Sequence, residues 1–176
     1  MTHILITGPC GVGKSTLIRR VLKELERPVF GFETQKEAGL TDPVRGTPLY
    51  FYPVGEPRRQ TEENLLGYCG NRNVATRPGS FDHFAPLLLR PLPAGTIILF
   101  DELGFMESQE KQFCAAILAR LDGDTPVIAA VKDRAVPFLD RVRSHPRCRC
   151  FSVTAENRDA RCREVLRFAR EQMGGY

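Results

Sequence analysis

The segment Gly8-Pro-Cys-Gly-Val-Gly-Lys-Ser15 constrains this chain most, because it matches G-x-x-x-x-G-K-[ST] at every fixed position. Its setting gives the pattern weight. His3 to Thr7 reads as a short buried strand. Lys14 to Leu25 has helical spacing, with Leu17, Val21, Leu22 and Leu25 on one side. A Gly-rich turn between a strand and a helix is a phosphate cradle. Gly8, Gly11 and Gly13 accept positive φ, so backbone N–H groups turn inward, and the helix start adds the positive end of its dipole. Lys14 puts a point charge on the β and γ phosphates, and Ser15 offers a hydroxyl to Mg²⁺. The expected nucleotide-binding loop is thus Gly8, Pro9, Cys10, Gly11, Val12, Gly13, Lys14, Ser15 and Thr16, with Lys14 catalytic and Ser15 a metal ligand. A helix dipole lowers a thiol pKa, but Cys10 reads as a small residue at a variable position.

A second acidic segment fits the first. Thr96-Ile-Ile-Leu-Phe100 is a continuous apolar run, as in a central parallel strand, and it delivers Asp101-Glu102 to the carboxyl edge of the sheet. This is the form of a Walker B segment. Asp101 is the expected second Mg²⁺ residue, and Glu102 the residue that takes a proton from an attacking water or orients it. Asp101-Glu-Leu-Gly104 also reads as D-x-x-G, in which the Gly104 N–H approaches the γ-phosphate. Taken alone, two acids at a strand end fit helix capping or surface arginines equally well. The upstream cradle favours the site.

The remaining elements place these motifs in one α/β domain over residues 1–176. Strands are expected at Val29–Thr34, Val127–Val131 and Cys150–Val153, and helices at Glu107–Leu121, Val136–Arg143 and Asn157–Met173. Turn residues Gly39, Asp42-Pro43, Gly46 and Pro48, with Leu49-Tyr-Phe-Tyr52 behind them, predict a hairpin within 35–54. Residues 55–79 read as a polar excursion with one more short strand pair. Ser80 is a candidate N-cap for a helix over Phe81–Arg90. Strands alternating with helices imply a mainly parallel sheet.

Composition excludes more than it selects. No stretch approaches the roughly 18 apolar residues of a membrane span, and Met1-Thr-His-Ile-Leu-Ile leads straight into a strand, so a cytoplasmic protein is expected. Net charge is +4, and 20 of the 25 basic residues are arginine, whose forks match phosphate oxygens. There is no basic run, so no specific nucleic-acid binding is expected. Six cysteines include only one close pair, Cys148-Arg-Cys150, without a second pair at zinc spacing. Free thiols and no structural metal are expected, with Cys114 a small core hydrophobe on its helix.

The ensemble resembles the small P-loop nucleoside-triphosphatase family, the thermophile-type and cancer-related enzymes, over nearly the whole chain. The resemblance rests on four segments: Leu5 to Leu17; Val29-Phe-Gly-Phe-Glu-Thr34; Phe100-Asp-Glu-Leu-Gly-Phe-Met-Glu107; and Phe151-Ser-Val-Thr-Ala-Glu-Asn-Arg158. It implies a RecA-like α/β fold with helices flanking the sheet. It also implies Mg²⁺-dependent hydrolysis of several nucleoside triphosphates, with Asn157 and Arg158 near the nucleobase. An Arg plane stacks on any base. Asn157 equally fits the N-cap of the last helix.

Two departures stand out. Where the family often carries an acidic residue and, two positions on, Arg, this chain has Gln35-Lys36-Glu37-Ala38. After Gly104, where Lys is frequent, stands Phe105. Arg58, Arg134 and Arg141 are the candidates to replace the missing charge. Two rival functions use the same cradle. One is a nucleotide or small-molecule kinase, with Arg58, Arg59, Arg72 and Arg77, or Arg134, Arg141 and Arg143, holding a second substrate. The other is a nucleotide-gated switch acting on a protein partner not identifiable from sequence, with 101–104 as its moving part. The guanine-reading N-K-x-D is absent; Ala130-Val-Lys-Asp133 and Asn157-Arg-Asp-Ala160 are partial echoes.

Overall fold

A computed structural model describes residues 1–70 and 74–173; Arg72 lies outside them. Its elements run β1 (His3–Gly8), α1 (Lys14–Leu25), β2 (Val29–Lys36), β3 (Thr47–Pro53), β4 (Leu65–Cys69), β5 (Val74–Thr76), α2 (Ala85–Leu89), β6 (Ile97–Leu103), α3 (Lys111–Asp122), β7 (Val127–Lys132), α4 (Pro137–Arg143), β8 (Cys148–Ser152) and α5 (Arg158–Met173). The strands form a single sheet in the order β5-β4-β3-β2-β6-β7-β1-β8. β2, β6, β7, β1 and β8 are parallel to one another. β3, β4 and β5 extend that sheet antiparallel. The hairpin expected in 35–54 is therefore β2–β3, and the strand pair expected in the excursion is β4–β5.

Both faces of the parallel strands are covered, which explains their nearly unbroken apolar sequences. Side chains alternate. Phe30, Phe32, Ile98, Phe100, Val127 and Ala129 enter a core with α2, α3 and α4. Ile4, Ile6, Ile97, Leu99, Ile128 and Ala130 enter a second core with α1 and α5. Because β1, β2, β6 and β7 all point the same way, their carboxyl ends meet at one edge, where an open α/β sheet binds ligands.

Two expected helices are broken. The segment 81–90 is a 3₁₀ turn at Asp82–Phe84 followed by the short α2. Ser80 does not cap it; its hydroxyl donates to Leu66 O. The carboxylate of Glu110 takes that part instead, accepting from Gly79 N (3.1 Å) and Asp82 N (3.3 Å). Residues 107–121 likewise divide into a 3₁₀ turn at Met106–Gln109 and α3, with Glu110 extended between them (φ −87°, ψ 90°). Glu110 thus ties both breaks together. α4 starts at Pro137, since the residue before a proline is pushed to extended backbone, and Val136 is extended. Among the described residues no helix is long and apolar enough to cross a membrane.

Candidate active site

The loop between β1 and α1 turns on three glycines of positive φ: Gly8 at 142°, Gly11 at 75° and Gly13 at 101°. At Gly8 a Cβ would lie 2.3 Å from Val153 O, so β1 closes against the end of β8 only with glycine there. At Gly13 a Cβ would lie 2.9 Å from Cδ of Arg158, whose side chain is laid over the loop. Pro9, Cys10 and Thr16 are exposed, and Val12 packs against the α1–α5 core.

Lys14 is buried, and its ammonium donates to Gly8 O and Pro9 O, both at 3.0 Å. It also lies 3.1 Å from Glu102 Oε1. That carboxylate oxygen is itself buried and accepts no hydrogen bond, so the ion pair is its principal contact. On the far side, Glu102 Oε2 lies 3.9 Å from the ammonium of Lys132. The β6–β7 register slips between Asp101 and Leu103, the irregularity that re-aims Glu102 out of the ladder.

Beside this pair, Ser15 Oγ donates to Asp101 Oδ1 at 2.8 Å. Asp101 is buried, and burial pushes its carboxyl above the usual range while the Ser15 hydroxyl works against the shift. Two hard oxygen donors side by side, one a carboxylate, fit Mg²⁺, which takes one or two protein carboxylates and fills its remaining positions with phosphate and water. No group of three or more His, Cys, Asp or Glu with metal-holding geometry occurs among the described residues.

Gly8, Pro9, Cys10, Lys14 and Glu102 line a cavity of about 510 Å³ whose walls also include Thr34, Phe81, Gly104, Phe105, Lys132 and Arg134; Ser15 and Asp101 are not part of its lining. Glu107 closes one side. It is fully buried, and burial raises its carboxyl to about 7. It accepts the Gly104 N–H. The N–H expected to approach a γ-phosphate is therefore already held by Glu107.

Of the arginines considered for the missing charge, Arg134 lines the cavity, its guanidinium 5.1 Å from the Phe105 ring centroid. Arg58 is turned away, pairing with Glu33 and Gln35. Arg141 is exposed on α4, and Arg77 binds Glu62 (3.0 Å). Arg143 braces the loop after β7, donating to Lys132 O (2.8 Å) and Arg134 O (2.7 Å). Asn157 precedes α5, and its side chain reaches back into the loop, accepting from Thr154 N (2.9 Å) and donating to Ser152 O (3.3 Å). Asn157 stands at the N-cap position, its carbonyl accepting from Arg161 N (2.8 Å), while its side chain is spent on the loop. Arg158 is exposed beside the loop.

Sequence reasoning did not anticipate Lys132 and Glu107 in the walls of this cavity. Lys132 had an available signal: it is the last residue of a buried parallel strand, at the edge where Asp101 also emerges. The six cysteines are unpaired, and Cys114, half-buried, packs at the edge of the core.

A family model described as NTPase matches residues 3–166. The chain is 33% identical over 183 residues to the nucleoside-triphosphatase THEP1 of Pyrococcus abyssi, covering 98% of this chain and 94% of the relative. It is 31% identical over 186 residues to the cancer-related nucleoside-triphosphatase homolog of Bos taurus, covering 93% and 94%. The crystal structure of THEP1 from the hyperthermophile Aquifex aeolicus has the same fold, with a TM-score of 0.72 at 22% identity over 95% of this chain and 98% of that one.

Proposed function

Because the chain belongs to the NTPase family, we propose that it hydrolyses nucleoside 5′-triphosphates to the diphosphate and phosphate, and that the cavity at the β1–α1 loop is where it does so. The single observation that carries the site is the Glu102 carboxylate 3.1 Å from the Lys14 ammonium at the mouth of the cradle. A base and a phosphate-binding cation are side by side at the sheet edge.

The roles follow from chemistry. Gly8 to Thr16 wrap the phosphates, with the backbone N–H groups of every residue but Pro9 available to them. Lys14 leaves the carbonyls of Gly8 and Pro9 for the β and γ phosphate oxygens, trading neutral acceptors for charged ones. Ser15 and Asp101 are the residues that would hold Mg²⁺, whose contribution is to neutralise charge on the phosphate oxygens. Glu102 orients a water and takes its proton as the water oxygen bonds to the γ-phosphorus and the bond to the β-phosphate oxygen breaks. The products are the diphosphate and inorganic phosphate. Gly104 lines the γ-phosphate end of the cavity, with its N–H fixed by Glu107. Arg158, lying over Gly13, offers a plane for the base. Asn157 helps by holding the loop that presents Arg158. The enzyme is read as cytoplasmic.

Neither rival reading gains an observation. The arginines of the excursion at 58 and 77 are committed to Glu33 and Glu62. The test is phosphate release from ATP, GTP, CTP and UTP with Mg²⁺, with and without added nucleosides. Hydrolase chemistry gives free phosphate at the same rate in both arms. A labelled phosphorylated nucleoside would make the protein a kinase.

A further inference from the structure

Lys132 ends β7 directly beside the start of the phosphate loop, in register with Gly8 on β1. Its ammonium lies 3.9 Å from Glu102 Oε2, while Lys14 lies 3.1 Å from Glu102 Oε1. One carboxylate therefore bridges two ammonium groups at the head of the cavity. The position of Lys132 is defined at both ends. Arg143 holds its carbonyl at 2.8 Å. Its ammonium sits 5.4 Å from the centroid of the Phe105 ring, within the range in which a ring face attracts a cation. The side chain is about one-third exposed, and that exposure faces the cavity it lines.

We infer that Lys132 is a second phosphate-binding cation, and that in the free enzyme the Glu102 carboxylate occupies, between Lys14 and Lys132, the place the γ-phosphate takes in the complex. This rests on the reading of the cavity as the triphosphate site. A carboxylate and a phosphoryl group are both planar-edged or tripodal oxyanions able to bridge two cations, and the phosphoryl group carries the greater charge. An arriving γ-phosphate displaces the weaker anion from both ammonium groups. Glu102, displaced from between the two ammonium groups it bridges in the free enzyme, is then free to turn toward the attacking water. Lys132 remains on the γ-phosphate and stabilises the charge that develops there in the transition state. This assigns the second charge of the site to a lysine on β7, not to the arginines at 58, 134 or 141.

A diphosphate has no γ-phosphate, so Lys132 matters to one nucleotide and not the other. The experiment is titration calorimetry of the full chain with Mg²⁺ and either β,γ-imido-ATP or ADP, for the parent, Lys132→Met and Lys132→Arg. Phosphate release from ATP is followed in parallel. The parent binds the imido-triphosphate more tightly than ADP. Lys132→Met is expected to leave ADP affinity unchanged, to weaken the imido-triphosphate about tenfold or more, and to lower kcat about 10²–10³-fold, the usual cost of losing one stabilising group. Lys132→Arg should keep most of the preference. A folded Lys132→Met that retains the parent's triphosphate-over-diphosphate preference overturns the inference, whatever happens to its rate. Equal losses for both nucleotides overturn it too, since they mark a structural role. Lys132→Gln replaces Lys132→Met if that variant does not fold. A parent that binds neither nucleotide would instead refute the site reading itself.

Discussion

The Glu102 carboxylate and the Lys14 ammonium form an ion pair of 3.1 Å inside the phosphate loop's own mouth. In the mechanism proposed above, each group is held by the other until an anion arrives, and the base is stored next to the cation it works beside. Glu102→Gln keeps the shape and removes the basic carboxylate. Its kcat is expected to fall by about 10²–10⁴-fold, the range for loss of a general base. Triphosphate binding should persist and tighten, because a negative charge leaves the γ-phosphate's surroundings. Single-turnover phosphate release and equilibrium binding on the same variant check both halves.

Gly13 and Arg158 give a second test. An alanine at 13 meets Arg158 Cδ at 2.9 Å and must hold a φ of 101°. The clash is with a flexible side chain and is relieved in Gly13→Ala/Arg158→Ala; the backbone strain is not. Gly13→Ala should lose about 1–3 kcal/mol of stability, and the double variant should recover only part of it. Thermal or denaturant melts of the single and double variants decide this. Full recovery would mean that the backbone there is unstrained.

The breaks in two helices show what the sequence could not carry. The apolar spacing of Phe113, Ala116, Ile117 and Leu121 correctly marks α3. The polar run Glu107-Ser-Gln-Glu110 ahead of it contains no Gly or Pro to stop a helix, and nothing local reveals that Glu110 turns back to cap a segment 31 residues away. By contrast, β1, the phosphate loop, α1, β6 and Asp101-Glu102 were legible because strand, turn residues and helix each had to be right within a few positions. The cavity's second wall comes from Phe105, Glu107 and Lys132, brought together by the β6–β7 pairing. Only the parallel-sheet edge rule points to such a meeting, and Ala130-Val-Lys-Asp133 read instead as an incomplete guanine motif.

Glu107 makes stability depend on pH. Its folded carboxyl titrates at about 7, against an ordinary value of 4.5, chiefly because it is buried. Between those values the native protein keeps a proton that the unfolded chain releases. Stability therefore falls as pH rises through roughly 4.5 to 7 and levels off above, by at most about 3 kcal/mol. His3 works in the opposite sense: burial holds its pKa below 6.5, so its contribution is lost as pH falls below that value. Glu107→Gln keeps His3 and an oxygen for the Gly104 N–H. The difference between parent and variant in melts from pH 5 to 8 isolates the Glu107 slope. A flat difference would mean that Glu107 titrates normally.

Base tolerance follows from what faces the loop. In the proposed site Arg158 is the stacking plane, and both ends of the Asn157 amide are engaged by Thr154 and Ser152. With no dedicated pair of groups beside the loop, among the described residues, to read a base edge, kcat/KM for ATP, GTP, CTP and UTP should lie within about two orders of magnitude. Steady-state kinetics with each nucleotide measure it, and activity confined to one base would show an unrecognised reader.

Lys14 is the group on which the whole site depends, since it lies between the loop carbonyls and Glu102. The most direct measurement is phosphate release from Mg·ATP by the parent and by Lys14→Ala, each first shown to be folded by circular dichroism. The parent should release phosphate catalytically, and Lys14→Ala should lose that activity to background together with most of its triphosphate affinity. A folded Lys14→Ala protein that hydrolyses ATP as the parent does would contradict hydrolysis at this loop.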